Sequence, residues 1–304
     1  MSIKTCQVLL AEFEEKKITA KAEKLIFEGV GNSDVYNITA PFEQRGELII
    51  AGRVEARDSE QSQVIFFVEK AGKWVPKEGA PIFDLQDPFY TKIAGELIIG
   101  GVQTYPHPEN PNWLGWRTVF YKGRDIFDLE LFFIGPDGMK DLRLAELKSS
   151  EIAVVTRPQG EKGGRGKIGY AKIESLLELS IPVIENAPLL EGQFIEEEWG
   201  GANEIHLLEN GLLGILGHVA CFDEQGDRHY YPMVFTLDGE TRAHSPMKLI
   251  ATRSMFLPGE SKRPDLVDVV FSGGLVRDGK GQARLYAGIS DAEAQVMTID
   301  DPFA

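Results

Sequence analysis

The chain has 304 residues, of which 43% are hydrophobic and 26% charged, with a net charge of −15 at neutral pH. That size and apolar fraction suit one large all-β domain or two ordinary ones around a true core. The acidity argues against nucleic acid as a partner, because a phosphate backbone demands clustered Lys and Arg on a basic face.

The N-terminal stretch MSIKTCQVLLAEFEEKK has a short apolar run that soon meets acidic residues, unlike a signal peptide. No apolar run approaches the ~20 residues that span a bilayer. The two cysteines, Cys6 and Cys221, are too few for a disulfide framework. The expected setting is cytoplasmic and reducing, with no membrane partner. The first 27 residues have the pattern of a helix or an edge strand.

From residue 46 a phrase begins to recur. GELIIAGRVE (46–55) returns as GELIIGGVQ (95–103), and weaker echoes follow in SSEIAVVTRPQ (149–159), NGLLGILGHVA (210–220) and GQARLYAGISD (281–291). Each copy has a turn-like or polar start, a mostly apolar run, and a polar residue where a strand would end. A continuous apolar run suits a strand covered on both faces. Between the copies, SQVIFFVEK, WRTVFYKG, LELFFIGPDG, KIGYAKI, YPMVFTLDG, LVDVVFSGGLV and AQVMTID read as further strands, many followed by Asp-Gly, Gly-Pro or Lys-Gly turns. IESLLELSI reads as one short helical turn. Five similar β units predict an all-β chain folded as a five-bladed β-propeller, with residues 1–304 as a single domain. A pair of β-sandwiches is the alternative. The repeated phrase is expected on the innermost strands, whose ends would gather Arg53, Glu55, Gln103, Arg157, His218 and Asp291 around one pocket.

The motifs of metal and nucleophile chemistry are missing. The five histidines, His107, His206, His218, His229 and His244, show no HExxH spacing, and there is no CxxC, GxSxG or Walker loop. No metal site is expected. EKGGRGKIG lacks a GKS or GKT ending and reads as a flexible hairpin. In LQDPFY, Pro88 disfavours a helical Asp87 and predicts an extended, rigidly held carboxylate. Such a group can serve as a general acid, although Asp-Pro also starts turns. VTRPQ and LGHVA put Arg157 and His218 at strand ends. SKRPDLVDVVF adds Lys262, Arg263, Asp265 and Asp268. Converging cations would make an anion site, most simply for phosphate; singly, each is more often a surface ion-pair residue.

In order along the chain, these segments resemble the inverting β-mannoside phosphorylases. DPFYTKIAGELIIGGVQ resembles the Glu-Asp-Pro-Arg segment that carries their acid aspartate. YNITAPFEQRGELIIAGRVEARDS is similar to their first-blade segment, and EIAVVTRP to the strand ending in a phosphate-binding Arg. WGGANEIHLLENGLLGILGHV resembles their Gly-Gly segment running into a strand and His, and DLVDVVFSGGLV with ARLYAGISDAEAQVMTID resembles the last blade. QDPFY lacks the Glu before Asp and the Arg after Pro, which is closer to the β-1,2-mannosyl phosphorylase/transferase branch.

The resemblance implies a five-bladed propeller in which Asp87 is the acid and its proton travels through a sugar hydroxyl. Phosphate would attack the anomeric carbon from the opposite face and give α-mannose 1-phosphate. Arg157 and His218, with Lys262 or Arg263 as a third partner, would hold phosphate; Asn37, Arg53, Glu55, Gln103 and Asp268 would bind sugar. The partners implied are a mannooligosaccharide with phosphate or mannose 1-phosphate. Inorganic phosphate is a co-substrate, and no cofactor is expected. Rival readings are a hydrolase using Glu55, Asp268 or Asp291 to activate water, a nucleotide-sugar-dependent mannosyltransferase, and a non-catalytic sugar-binding propeller. Linkage, chain length, direction and self-association stay open.

Overall fold

A computed structural model of the chain describes residues 3–16, 18, 20–107 and 110–304. The N-terminal segment, expected as a helix or an edge strand, holds one of each. Helix α1 (Cys6–Glu14) is capped by Thr5, whose hydroxyl accepts from Val8 N, and it buries Cys6, Leu9 and Phe13 at helical spacing. Strand β1 (Lys21–Lys24) follows.

Five antiparallel units come next. The first contains β2 (Asp34–Tyr36), β3 (Phe42–Gln44), β4 (Glu47–Glu55), β5 (Ser62–Lys70) and β6 (Lys73–Pro76). The second is β7 (Gln86–Ile93), β8 (Glu96–His107), β9 (Asn110–Gly123) and β10 (Glu130–Ile134). The third is β11 (Arg143–Glu146), β12 (Ile152–Thr156) and β13 (Gly169–Ile173). The fourth is β14 (Trp199–Leu207), β15 (Leu213–Phe222), β16 (Arg228–Leu237) and β17 (Lys248–Leu249). The fifth is β18 (Asp268–Arg277), β19 (Gln282–Ile289) and β20 (Glu293–Asp300), completed by β1 on the far edge of β20. Two parallel residue pairs, His229–Asp268 and Tyr230–Val269, join the fourth and fifth units into one sheet. Helix α2 (Gly160–Gly163) lies within the third unit, between β12 and β13, and α3 (Ile181–Asn186) between the third and fourth; IESLLELSI holds one 3₁₀ turn, Leu176–Glu178. No helix among the described residues is long and apolar enough to cross a membrane.

The repeated phrase occupies β4, β8, β12, β15 and β19, the second strand of each unit. This corrects the expectation that it runs innermost. First strands meet one another across units, β7 with β11 and β14 and β14 with β11 and β18, whereas β4, β12 and β15 meet the neighbouring first strands β7, β14 and β18. The burial pattern explains the apolar run. Ile49 and Ala51 enter a core shared with the second unit, whereas Ile50 and Val54 enter one shared with the fifth. The same alternation sends Ile98 and Leu97, Val154 and Val155, Leu216 and Ile215, and Leu285 and Tyr286 to opposite faces. A strand clamped between two neighbours has no solvent face, so both parities must be apolar. Burying each large aliphatic side chain contributes about 1.5–3 kcal/mol. Five cores result, one between each consecutive pair and one between the fifth unit and the first.

Each first strand is irregular at a matching place. Asn37, Asp87, Asp141, Asn203 and Gly273 stand seven to nine residues ahead of Gly46, Gly95, Ser149, Asn210 and Gly281, where the five copies of the phrase begin. Asn37, Asp87 and Asp141 are left-handed, with φ of 44°, 49° and 59°. The register slips around Asp87, Asn203 and Gly273 mark β-bulges, which aim side chains out of the regular ladder.

Candidate active site

Asp87 is not extended. Its left-handed backbone sits in the bulge between Gln86 and Phe89. That conformation costs a non-glycine residue roughly 1–2 kcal/mol, less for Asp than for most. Tertiary contacts outweigh the local bias of Pro88. Asp87 Oδ1 accepts from Asn37 Nδ2 at 2.8 Å and from Arg53 Nη1 at 3.1 Å. The Phe89 ring fills the space over Gly100, where a Cβ would lie 2.1 Å from it.

Arg53 is the centre of this cluster and is 6% exposed. Besides Asp87, its Nη2 donates to Glu55 Oε2 (2.7 Å) and its Nε to Ser62 Oγ (2.8 Å), and the guanidinium lies over the Tyr36 ring. Glu55 also accepts from Tyr36 OH (2.7 Å), Ser62 Oγ and Lys262 Nζ. Burial pushes the Glu55 carboxyl up, but Arg53 and the hydrogen bonds from Lys262 and Ser62 outweigh it and hold it at about 2. Half-buried Asp291 goes the other way. Desolvation raises it and Arg53 only partly opposes, because Asp87 and Glu55 add like charge.

A second cluster surrounds Arg157, 2% exposed. Its Nε donates to Gly200 O (3.0 Å) and its Nη2 to Arg165 O (3.3 Å); its Nη1 has no hydrogen-bond partner among the described residues. The backbone crowds in: a Cβ on Gly166 would lie 2.5 Å from Nη2. EKGGRGKIG, expected as a hairpin, belongs to the connection of the antiparallel β12–β13 pair, which holds the one-turn α2 and a loop packed on Arg157. Arg157, Lys140 and Arg165, with Gln159, face a cavity of about 300 Å³ whose apolar side includes Trp199, Phe222 and Tyr230. Three cations at one cavity, in so acidic a chain, make a focus for an anion.

His218 lies beside this cluster. Its Nδ1 meets Asn203 Oδ1 at 2.9 Å, and its ring stacks on Tyr230. Burial pushes the imidazole down to about 4 despite the nearby Asp141 carboxylate, so it is neutral at pH 7. Arg143 joins the two clusters. It stacks on the Phe89 ring 3.8 Å from the centroid, donates to Asn203 O (2.7 Å), and approaches Asp141 at 3.9 Å. Burial lowers it to about 10, with Asp141 and Asp87 opposing.

The other expected site residues lie elsewhere. Lys262 donates to Glu55, Ser59 O (2.8 Å) and Glu60 (3.1 Å), and Arg263 pairs with Asp265 and Glu60; neither lines the Arg157 cavity. Both precede β18, so the fold delivers them to the acidic Arg53 side. Gln103 accepts from Arg117 Nε across β8 and β9 (2.9 Å). Asp268 takes Tyr231 OH (2.9 Å) and faces His229 Nδ1 (2.6 Å), whose Nε2 meets Asp223. Burial lowers His229, but the bonds to Asp268 and Asp223 outweigh it and raise the ring. Lys140, Asp141, Arg143, Arg165 and Asn203 were not singled out in the sequence. A signal existed for Asp141 and Asn203, since both occupy the fixed place ahead of the repeat that Asp87 occupies. Among the described residues, no group of three His, Cys, Asp or Glu side chains is placed to hold a metal ion.

The profile of a family described as a protein of unknown function, DUF1861, matches residues 11–304. Among solved structures, a mannose phosphorylase from Leishmania mexicana, in complex with phosphate ion, is 36% identical with a TM-score of 0.90, over 98% of this chain and 93% of that one. A GDP-Man-dependent mannosyltransferase from the same organism is 32% identical with a TM-score of 0.89, over 98% and 95%. The β-1,2-mannobiose phosphorylase of Listeria innocua, 14% identical with a TM-score of 0.63 over 92% and 90%, is alike in fold. No curated protein matches. The chain belongs to the DUF1861 family and, with its Leishmania relatives, to the superfamily of mannoside phosphorylases and their mannosyl phosphorylase/transferase branch.

Proposed function

We propose that the five units are the blades of a five-bladed β-propeller and that the chain is an inverting β-1,2-mannoside phosphorylase and mannosyltransferase. It transfers mannose reversibly between a β-mannooligosaccharide and phosphate, giving α-mannose 1-phosphate. The observation that carries this reading is the pairing of a held carboxylate, Asp87, with an anion cavity at Arg157, bridged by Arg143. The closed sequence of five cores supports the propeller.

In this mechanism Asp87 gives up its proton toward the glycosidic oxygen through a sugar hydroxyl. Asn37 and Arg53 fix the carboxylate and, with Glu55, offer polar groups to the mannose. Phosphate, oriented by Arg157 with Lys140 and Arg165 around it, attacks the anomeric carbon from the opposite face and configuration inverts. Phosphate is already an anionic nucleophile, so no second carboxylate is required to activate it, unlike the water of an inverting hydrolase. Glu55 is a poor candidate for such a base, being saturated by Arg53, Lys262, Ser62 and Tyr36. A cavity of about 300 Å³ is at the small end for ligand sites and suits phosphate with part of a sugar better than a whole nucleotide sugar.

The test is incubation with β-1,2-mannobiose, with and without phosphate, followed by analysis of products. Mannose 1-phosphate is expected only when phosphate is present. Free mannose without phosphate would make the chain a hydrolase, and turnover only with GDP-mannose would make it a nucleotide-sugar transferase.

A further inference from the structure

Asp141 lies against the anion cavity without lining it. Its carboxylate is buried, and its Oδ2 stands 3.4 Å from Arg157 Nε and 3.9 Å from His218 Nε2. That oxygen accepts no hydrogen bond among the described residues. The closeness is built into the opposite wall: a Cβ on Gly201 would lie 2.7 Å from Asp141 Oδ2 and 3.0 Å from Arg157 Cδ, so glycine there lets the pair pack against β14. Burial pushes the Asp141 carboxyl up, but Arg157, His218, Arg143 and Lys140 outweigh it and hold it below the usual carboxylate range. It is therefore a fixed anion behind the arginine.

The guanidinium is planar, so contacts at two of its nitrogens set the direction of the third. Gly200 O accepts from Nε with the Asp141 carboxylate paired beside it at 3.4 Å, Arg165 O accepts from Nη2, and Nη1 is buried with no hydrogen-bond partner among the described residues. A buried charged donor with no acceptor is costly unless a ligand supplies one.

We propose that Asp141 is a positioning residue for the anion site: it pins Arg157 through Nε so that Nη1 is presented to a phosphate oxygen. The inference rests on the reading of this cavity as the phosphate site. A carboxylate near a bound phosphate also repels it. The proposal is that orientation outweighs that repulsion, which fixes the sign of the test.

Binding of inorganic phosphate to the full chain is measured by calorimetry for the wild type, Asp141→Asn, Arg157→Met and the double variant, with KM for the mannoside alongside. Asn keeps the shape and tolerates the left-handed backbone. Asp141→Asn is expected to weaken phosphate binding about tenfold and to leave the mannoside KM within about twofold. In the Arg157→Met background the same change should have almost no effect, because Asp141 acts through that arginine. Gly201→Ala, which displaces the carboxylate without altering charge, should weaken phosphate in the same direction. Unchanged or tighter binding in Asp141→Asn, or an equal loss in both backgrounds, overturns the proposal while the phosphorylase reading stands. A wild type that binds no phosphate overturns both.

Discussion

Two buried arginines divide the site between them. Arg53 spends all three of its nitrogens on side chains of this chain: Nη1 on Asp87, Nη2 on Glu55, Nε on Ser62. Arg157 is more deeply buried, yet its hydrogen bonds go to the carbonyls of Gly200 and Arg165, and Nη1 has no hydrogen-bond partner among the described residues. The first arrangement is closed, with the charge of the guanidinium matched by carboxylates. The second is open, with one donor unused beside a cavity edged by two further cations. A closed arginine clamps its neighbours. An open one keeps a donor to offer.

That contrast can be broken in several places. Asp87→Asn removes the proposed acid but keeps an oxygen for Asn37 and Arg53. It should lower kcat about 10³-fold, within the range for general acid catalysis, and shift the melting temperature by only a few degrees. Near-normal turnover would take Asp87 out of the chemistry. Arg53→Met strands two carboxylates in a buried setting and should destabilise the chain by about 3–5 kcal/mol, read from a urea midpoint. A loss well under 1 kcal/mol would show that the cluster is not mutually dependent.

Acid should dissect the two regions in sequence. His218 is buried neutral with a pKa of about 4, below the ordinary 6.5, so the unfolded chain binds the extra proton as pH falls. Stability present above pH 6.5 is therefore lost between pH 6.5 and 4, on the order of 3 kcal/mol. Glu55, depressed to about 2 from 4.5, contributes above pH 4.5 and fails below it. His218→Gln should flatten the upper window in a pH series of melts and leave the lower one unchanged. Arg157→Met should raise the apparent KM for phosphate about thirtyfold with little change in the mannoside KM, as expected for one charge-assisted hydrogen bond. If the mannoside KM moved instead, Arg157 would belong to the sugar side.

The strands were legible because periodicity is local. SQVIFFVEK is β5 residue for residue, and all five copies of the phrase are strands. Their rank within each sheet was not legible, because a doubly buried run announces burial and not which neighbours supply it. Asp87, Asn37, Arg53 and Glu55 were found, and the structure brings them into one cluster. The extended backbone expected for Asp87 failed because Pro88 biases only the local chain, whereas Asn37 and Arg53 act from other strands. Lys262 and Arg263 looked like anion ligands beside Arg157. Only the path of the chain before β18 decides that they face Glu55 and Glu60 instead. Arg143 left no trace in the pattern, since stacking on Phe89 is visible only once β7 and β11 meet.

The pairing of β1 with β20 sets an order of events in synthesis. Lys21 stands opposite Thr298 and Lys24 opposite Gln295, so the fifth sheet joins segments far apart along the chain. A ribosome delivers the first of these strands nearly a whole chain before its partner. The four residues of β1 must stay unpaired until β20 emerges, and the loop they then close spans all five units. Loop entropy grows only with the logarithm of length, about 0.6 kcal/mol per doubling, so the latch is slow to find rather than weak once found. Until it shuts, the outer edge of β20 is a bare row of hydrogen-bonding groups, open to a strand from another nascent chain.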